Sequence, residues 1–540
     1  MNIKIILAQL NFTVGDIEGN KNKIIDAILK NQSNNISTVI IFPELSICSY
    51  PPEDLLHRPA FLQRIEVALN EIVNATKEIY VLVGYPKKSN GKIFNACSVI
   101  YNGEIIKTYF KQILPNYGVF DEKRYFEAGN SNCLFDINGI SIAVTICEDI
   151  WEQQPTKNAA DAGARILFNL NASPYHITKK QQRETLIKQR ARENNLHIAY
   201  INLVGGQDEL IFDGYSMLIN ANGENIFAAP QFTEGLYSYE LDIENKEITN
   251  TVAIVDTPVT EEASIYQALV LGVRDYVKKN NFSGVVIGLS GGIDSALTTT
   301  IAVDALGAEN VEVLIMPSRY TAQMSINDAI KQADTLGIRH ETISIEPAFN
   351  SFLGSLFNRF ENLPTDITEE NIQARCRGIL LMALSNKTGK LLLTTGNKSE
   401  MAVGYSTLYG DMCGGFAPLK DVWKTMVYKL AIWRNKDQEV IPANVIERPP
   451  SAELRENQVD QDSLPNYDIL DTILEQYIEQ DISPNIIIER GFSAKDVEHV
   501  VRMVDRNEYK RRQAAPGVRI TQRAFGRDRR YPITSGYLEK

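Results

Sequence analysis

Two sets of residues in this chain have the types and spacing to do chemistry. The first is Ser290-Gly291-Gly292-Ile293-Asp294-Ser295, which directly follows the apolar run Val285-Val286-Ile287-Gly288-Leu289 and precedes Ala296-Leu297-Thr298-Thr299-Thr300-Ile301. A strand, a glycine-rich turn and a helix start make a phosphate cradle. The glycines let the backbone approach an anion, and the free N–H groups of the first helical turn, with the helix dipole, favour negative charge. The spacing is not that of a Walker A loop, because no Gly-Lys-Ser/Thr follows. The second set is Glu44, Lys111 and Cys147. Glu44 follows Ile40-Ile41-Phe42-Pro43, Lys111 follows Tyr109-Phe110, and Cys147 ends the run 142–146 and opens Cys147-Glu148-Asp149-Ile150-Trp151. At the ends of apolar runs, such side chains reach the rim where a site can form.

Those side chains need rigid elements to hold them. In the first half, β-rich runs at 39–42, 80–84, 140–146, 166–170, 198–202 and 214–219 alternate with amphipathic helical stretches. Asn102-Gly103 and Asn222-Gly223 read as hairpin turns. Many strands with interleaved helices predict an α/β layered sandwich of mixed sheets. A polar stretch near 242–260 has no strong periodicity, and after it Ile265, Leu269, Val273, Tyr276 and Val277 recur at helical spacing. The expected division is therefore a domain over 1–246, a linker over 247–262 and a second domain over 263–540. In that second domain, strands at 285–289, 311–316 and 391–394 with helices between them predict a doubly wound parallel sheet. Ligands of such sheets sit at the carboxyl ends of the strands. The Pro-rich, polar stretch 448–465 is expected to be a surface excursion.

Composition removes several function classes. At 540 residues the chain has room for two or more cores. A net charge of −12 argues against a dedicated nucleic-acid binder. The C-terminal stretch 502–530 carries ten Lys/Arg against three Asp/Glu but lacks interleaved aromatic platforms. It is expected to reach an anionic dinucleotide or a neighbouring subunit. The apolar start is too short for a signal peptide and reads as a buried strand. No apolar run reaches the length of a membrane span, about 18 residues. Cys48, Cys97, Cys133, Cys147, Cys376 and Cys413 lie scattered without paired spacing, which predicts a reduced, cytoplasmic protein with no zinc site.

With the contexts of Glu44, Lys111 and Cys147 in this order, the first half resembles the nitrilase superfamily, and the resemblance implies an α-β-β-α sandwich with these three as a catalytic triad. A thiolate is the nucleophile, so Cys147 needs a base and a positive neighbour to hold its proton affinity down. Glu44 would take that proton, return it to departing ammonia and then activate water. Lys111 would stabilise the oxyanion, with Glu122 as a supporting carboxylate. Asn171-Ala172-Ser173-Pro174-Tyr175-His176 followed by Lys179 is similar to the glutamine pocket of the superfamily's glutaminases. That likeness implies that Ser173 and Lys179 hold the amino-acid head of L-glutamine, with Tyr117 and Glu148 assisting.

The loop 290–295 resembles that of enzymes that cleave ATP between its α and β phosphates, the ATP-pyrophosphatase (adenine nucleotide alpha hydrolase-like) fold. Three further stretches extend the likeness: Asn371-Ile372-Gln373-Ala374-Arg375-Cys376-Arg377; Leu391 through Glu400, with Thr394-Thr395-Gly396-Asn397; and Gly410-Asp411-Met412-Cys413-Gly414-Gly415 leading to Lys424. Together they are similar to the ammonia-using domain of NAD synthetases, and the whole chain to the glutamine-dependent family of them. The resemblance implies ATP contacts at Gly288, Leu289, Ser290, Gly291, Gly292, Ile293, Asp294, Ser295, Thr395 and Lys424. It implies deamido-NAD⁺ contacts at Asn371, Glu400, Asp411 and Lys510, with Asp411 on a mobile segment closing over the substrate. Asp294 and Glu400 are the implied magnesium ligands, no prosthetic group is expected, and the family implies a homo-oligomer. The implied reaction is the last step of NAD⁺ formation: deamido-NAD⁺, ATP and glutamine give NAD⁺, AMP, pyrophosphate and glutamate. Ammonia would pass between the two sites by a dry route. Two other readings are a glutamine-dependent ligase for another acid, as in the related GMP and asparagine synthetases, and an amidohydrolase with a regulatory nucleotide module.

Overall fold

The computed structural model describes residues 2–32, 37–242, 247–249, 259–361, 363–456 and 458–537. They fall into two compact units, Met1–Val259 and Thr260–Lys540. The strand Glu247–Thr249 pairs antiparallel with Gly235–Asp242, so sheet structure continues into the stretch expected as a linker. Residues 250–258 of that linker lie outside the described residues, and the helix Glu261–Lys279 begins at its far end.

The first unit holds a seven-stranded and a six-stranded sheet. In the larger, Asn2–Gln9 runs parallel to Ser37–Ile41 and antiparallel to Gly235–Asp242. In the smaller, Ile140–Ile146, Ile166–Asn171 and His197–Asn202 lie parallel in that order. Alternate side chains along each strand go to different cores. Ile5, Leu7, Val39 and Ile41 join Val144, Ile146, Phe168 and Ile201 in one cluster between the sheets. Ile6 and Ile40 face the other way, onto Ile24 and Ile28 of the helix Ile17–Leu29 and Ile65 and Ile72 of Pro59–Ala75. On the opposite flank Leu167, Ile198 and Tyr200 meet Ile187 and Ala191 of the helix Lys179–Asn194. The layers are helix, sheet, sheet, helix: the expected sandwich. Because both faces of each strand are buried, these strands read as continuous apolar runs.

The second unit is built on a four-stranded parallel sheet in the order Arg339–Thr342, Val311–Ile315, Val285–Gly288, Leu391–Leu393. The strand Arg339–Thr342 was not expected; it is a polar edge strand, largely exposed, and carries no apolar run. From Val285–Gly288 the chain builds outward on one side to Val311–Ile315 and Arg339–Thr342, then returns to place Leu391–Leu393 on the other. That reversal makes a crevice between the carboxyl ends of Val285–Gly288 and Leu391–Leu393. The loop 289–292 and residues 394–397 leave the sheet there.

The stretch 448–465 lies at the surface, as expected, and is anchored there. Arg448 donates to the Gly291 carbonyl and, at 2.9 Å, to Ser325 Oγ, and Ser325 Oγ donates to Glu453 at 2.5 Å. Asp460 is buried and accepts the Tyr467 hydroxyl at 2.8 Å. Its prolines forbid a long helix, but they do not say where the segment lies. Five basic side chains of the C-terminal stretch pair inside their own unit: Arg511, Arg512 and Arg529 with Glu508, Arg519 with Asp528, and Arg523 with Asp481.

Candidate active sites

Glu44 leaves the strand Ser37–Ile41 just beyond Phe42-Pro43 and has no solvent exposure. Its Oε1 accepts Lys111 Nζ and Asn95 Nδ2, each at 2.7 Å, and its Oε2 accepts the Ala172 N–H at 3.0 Å. Lys111 also donates to Glu122 Oε1 at 2.8 Å, which accepts the Tyr50 hydroxyl at 3.0 Å. Lys111 is thus an ammonium between two carboxylates. Burial alone would strip its charge, but Glu122 and Glu44 outweigh that and lift it well above an ordinary lysine. Glu122 is pushed up to about 7 by burial, against the pull of Lys111, and its Oε2 has no partner among the described residues.

Cys147 ends the strand Ile140–Ile146 with φ of 45° and opens the turn Cys147–Ile150. Such a φ is unfavourable for a residue with a Cβ, by about 1–3 kcal/mol, and is found where surroundings enforce it at working sites. Burial pushes the thiol well above its ordinary value, the Glu44 charge adds to this, and Lys111 only partly opposes it. Lys111 was expected to hold the thiol's proton affinity down and is outweighed; the site favours a thiol beside a carboxylate able to take its proton, as expected of Glu44.

Around this centre the Tyr117 hydroxyl donates to Glu148 Oε1 at 2.8 Å, and burial raises the Glu148 carboxyl above its usual range. The Ser173 N–H donates to Asn202 Oδ1 at 2.9 Å. Lys179 begins the helix Lys179–Asn194 and holds its ammonium 3.7 Å from the centre of the Trp151 ring.

In the second unit Gly291 has φ of +79°, and a Cβ there would lie 2.2 Å from the Ser325 carbonyl oxygen, so the turn requires glycine. The hydroxyls of Ser290 and Ser295 meet at 3.0 Å, Ser295 Oγ donates to the Gly292 carbonyl at 2.9 Å, and the Gly292 N–H donates to Ser290 Oγ at 3.2 Å. These bonds stitch the loop into a ring at the start of the helix Ile293–Leu306. Asp294, in that helix's first turn, accepts Lys424 Nζ at 2.5 Å and Asn397 Nδ2 at 2.8 Å. Lys424 also lies 3.6 Å from Glu400. Burial pushes Glu400 up to about 8, the Asp294 and Asp460 charges add to this, and Lys424 opposes it. Thr395 sits just past the strand Leu391–Leu393, at the same edge of the sheet.

The remaining predicted residues converge on 404–411. Asn371 Oδ1 accepts the Thr407 hydroxyl at 2.8 Å, and Asp411 Oδ1 accepts the Thr407 N–H at 2.7 Å, so Asp411 is tied down rather than free. Lys510 Nζ donates to the carbonyls of Gly404 at 2.7 Å and Ser406 at 2.9 Å.

Family models described as carbon-nitrogen hydrolase and NAD synthase match residues 4–248 and 265–514. A glutamine-dependent NAD(+) synthetase of Xanthomonas campestris is 49% identical over 99% of this chain and 98% of its own length. The chain belongs to the glutamine-dependent NAD(+) synthetase family. The Acinetobacter baylyi member is 50% identical over 99% of both chains. Among solved structures, the glutamine-dependent NAD+ synthetase of Acinetobacter baumannii in complex with ADP aligns with a TM-score of 0.81 at 46% identity, covering 100% of each chain. That of Cytophaga hutchinsonii shares the fold, with a TM-score of 0.86 at 24% identity over 99% of this chain and 98% of its own.

In this family member, sequence reading missed the residues that aim the others. Asn95 is a buried amide inside the strand Lys92–Tyr101, where asparagine is unfavoured; that oddity was its only signal. Asn397 uses its oxygen to cap the helix Lys398–Val403 and its amide to hold Asp294. Asn followed three residues later by Glu400 is a capping-box spacing, so the cap was readable and the Asp294 contact was not. Arg448 and Asp460 carried no local signal.

Proposed function

We propose that this chain converts deamido-NAD⁺ to NAD⁺ with ATP and with ammonia that it releases from L-glutamine. The observation that carries this is one chain holding both a buried Glu44–Lys111–Glu122 array beside Cys147 and an Asp294–Lys424–Glu400 array at a phosphate cradle. Neither an amidohydrolase with a sensing module nor a ligase for another acid is favoured, given the full-length likeness to glutamine-dependent NAD(+) synthetases.

In the first reaction the ammonium of glutamine sits against Glu148, with Tyr117 beside it, and its carboxylate against Lys179 and Ser173. Cys147 rests as a thiol, so Glu44 removes its proton as sulfur bonds to the amide carbon. The carbonyl oxygen takes up negative charge, which Lys111 stabilises; one such donor is worth about 100- to 1,000-fold in rate. Glu44 returns the proton to nitrogen, the C–N bond breaks and ammonia leaves a thioester. Water, deprotonated by Glu44, then attacks the thioester and releases glutamate with the thiol restored. Glu122 keeps Lys111 charged throughout.

In the second reaction a nicotinate carboxylate oxygen attacks the α-phosphorus of ATP, and pyrophosphate departs. The N–H groups of residues 290–295 and Lys424 offset the phosphate charge, with Thr395 beside the nucleotide. Ammonia adds to the activated carbonyl carbon, the nitrogen loses one proton and AMP leaves, giving the amide. Asn371, Glu400, Asp411 and Lys510 are the proposed deamido-NAD⁺ contacts. The convergence of Asn371, Asp411 and Lys510 on 404–411 supports this, and Lys510 Nζ, donating to two carbonyls, has a third N–H to offer substrate.

Asp294 and Glu400 are the proposed magnesium ligands, and the donor set fits. Two hard carboxylates, with Asp460 adding charge, face a single ammonium; burial first, and the Asp294 and Asp460 charges after it, hold Glu400 up to about 8. Among the described residues no group of three or more His, Cys, Asp or Glu side chains could hold a metal. Phosphate and water oxygens would complete the shell, as magnesium prefers. When bound, the ion would neutralise charge on the phosphates. Exposed Phe357, Ile367 and Ile379, on or beginning the helices Glu346–Phe360 and Ile367–Thr388, support self-association. Among the described residues no helix is long and apolar enough to cross a membrane.

The test supplies glutamine, ATP, magnesium and deamido-NAD⁺ and measures NAD⁺, AMP and glutamate. All three should appear; glutamate without NAD⁺ would refute the proposal.

A further inference from the structure

Asp149 lies two residues past the nucleophile, is wholly buried and has no part in the reaction above. Its carboxylate accepts four hydrogen bonds. Oδ2 takes the Ile146 N–H at 3.0 Å and the Tyr109 hydroxyl at 2.8 Å; Oδ1 takes the N–H groups of Gln112 at 3.0 Å and Ile113 at 2.8 Å. Ile146 precedes Cys147 and Asp149 follows it, so the first bond closes a turn around the thiol. Tyr109 precedes Lys111, and Gln112 and Ile113 follow it, so the same carboxylate brackets the lysine in sequence as well.

The φ of 45° at Cys147 must be imposed by something outside the strand. An ionised carboxylate only accepts, and its two oxygens match four donors with none opposed. An amide of the same shape would turn its NH₂ toward two of those donors. Burial pushes Asp149 up only to about 6, against the pull of its donors, so it is mainly ionised at neutral pH.

We infer that Asp149 is a positioning residue for glutamine hydrolysis, fixing the Cys147 thiol and the Lys111 ammonium relative to each other by tying both segments to one buried anion. The inference rests on the reading of Cys147 as the nucleophile. A displacement of about 1 Å at a reacting centre costs on the order of 100-fold in rate, so a small shift of either segment is measurable.

The experiment uses the full chain and measures three things: the rate constant for carbamidomethylation of Cys147 by iodoacetamide, located by peptide mass mapping; kcat and KM for glutamine hydrolysis; and NAD⁺ synthesis from ammonium. In Asp149→Asn the alkylation rate constant and kcat should both fall by about 30- to 100-fold, with KM within about threefold and ammonium-driven synthesis within about twofold. Tyr109→Phe removes one donor and should lower both rate constants by about three- to tenfold. A purely structural role would reduce the fraction of protein that reacts but leave the rate constant of each reactive thiol at the wild-type value. That result, or a kcat within about threefold of wild type in folded Asp149→Asn, would overturn the inference. Should Asp149→Asn fail to fold, unchanged rate constants in Tyr109→Phe would overturn it equally. Wild-type enzyme that keeps hydrolysing glutamine after full labelling of Cys147 would instead overturn the reading of the nucleophile on which the inference stands.

Discussion

The two sites solve the problem of charge in opposite ways. In the first unit Glu44 and Lys111 are sealed from solvent, and the ammonium is shared at 2.7 and 2.8 Å between two carboxylates. Each member already has its partner, so the site is preorganised before substrate arrives. In the second unit the phosphate loop leaves an open crevice at strand ends, and Asp294, Glu400 and Asp460 outnumber the one lysine they face. That site is completed by what binds to it. Amide hydrolysis needs a fixed nucleophile, base and oxyanion donor. The proposed adenylation would draw a cation to that excess of carboxylates.

Substitutions can break this contrast, beginning with the most severe. Lys111→Met leaves two carboxylates buried and unpaired. Glutamine hydrolysis should fall by at least about 1,000-fold, and the first unit should lose about 3–5 kcal/mol of stability by denaturant titration. Asp294→Asn should act on the other side alone: NAD⁺ synthesis from either nitrogen source should drop by about 100-fold or more while glutamate release persists. Equal damage to both reactions would blur the distinction.

Acidity offers a gentler test. A carboxyl held up to about 7 is protonated below that pH and charged above it, so hydrolysis limited by Glu122 should rise as pH passes through about 7. Glu122→Gln should lower the plateau and remove that limb. In the second unit, Glu400 held up to about 8 carries a proton at neutral pH. A cation favours its charged form, so cation binding near neutrality should release a proton, seen as a dependence of calorimetric heat on buffer ionisation enthalpy. The smallest effect is expected from Asn397→Ala: about 1 kcal/mol from the lost helix cap and about a tenfold drop in synthesis from a loosened Asp294.

What could be read from the sequence follows the same divide between local and distant. Strands buried on both faces, such as Ile140–Ile146, announce themselves as apolar runs, and chemistry at their ends is visible as Cys147 or Glu44. A glycine turn between strand and helix is equally local. Contacts across the chain are not. Asn95 meets Glu44 51 positions away, and Asn397 meets Asp294 103 positions away, with nothing in either neighbourhood to foretell it. Charge counting meets the same limit: nothing local in 502–530 shows that Arg511, Arg512 and Arg529 share Glu508 as an internal partner. The base and the lysine that serve Cys147 show in the sequence; the total burial that outweighs the lysine does not.

The central claim, that nitrogen released at Cys147 is consumed at the phosphate cradle of the same chain, is tested most directly by isotope transfer. Glutamine labelled with ¹⁵N in its side-chain amide is supplied together with unlabelled ammonium, and NAD⁺ is weighed by mass spectrometry. Wild-type enzyme should yield mostly labelled NAD⁺, and Cys147→Ala should yield unlabelled NAD⁺ at an undiminished ammonium-driven rate. Labelled NAD⁺ from Cys147→Ala, or loss of synthesis from ammonium in that variant, would contradict the account.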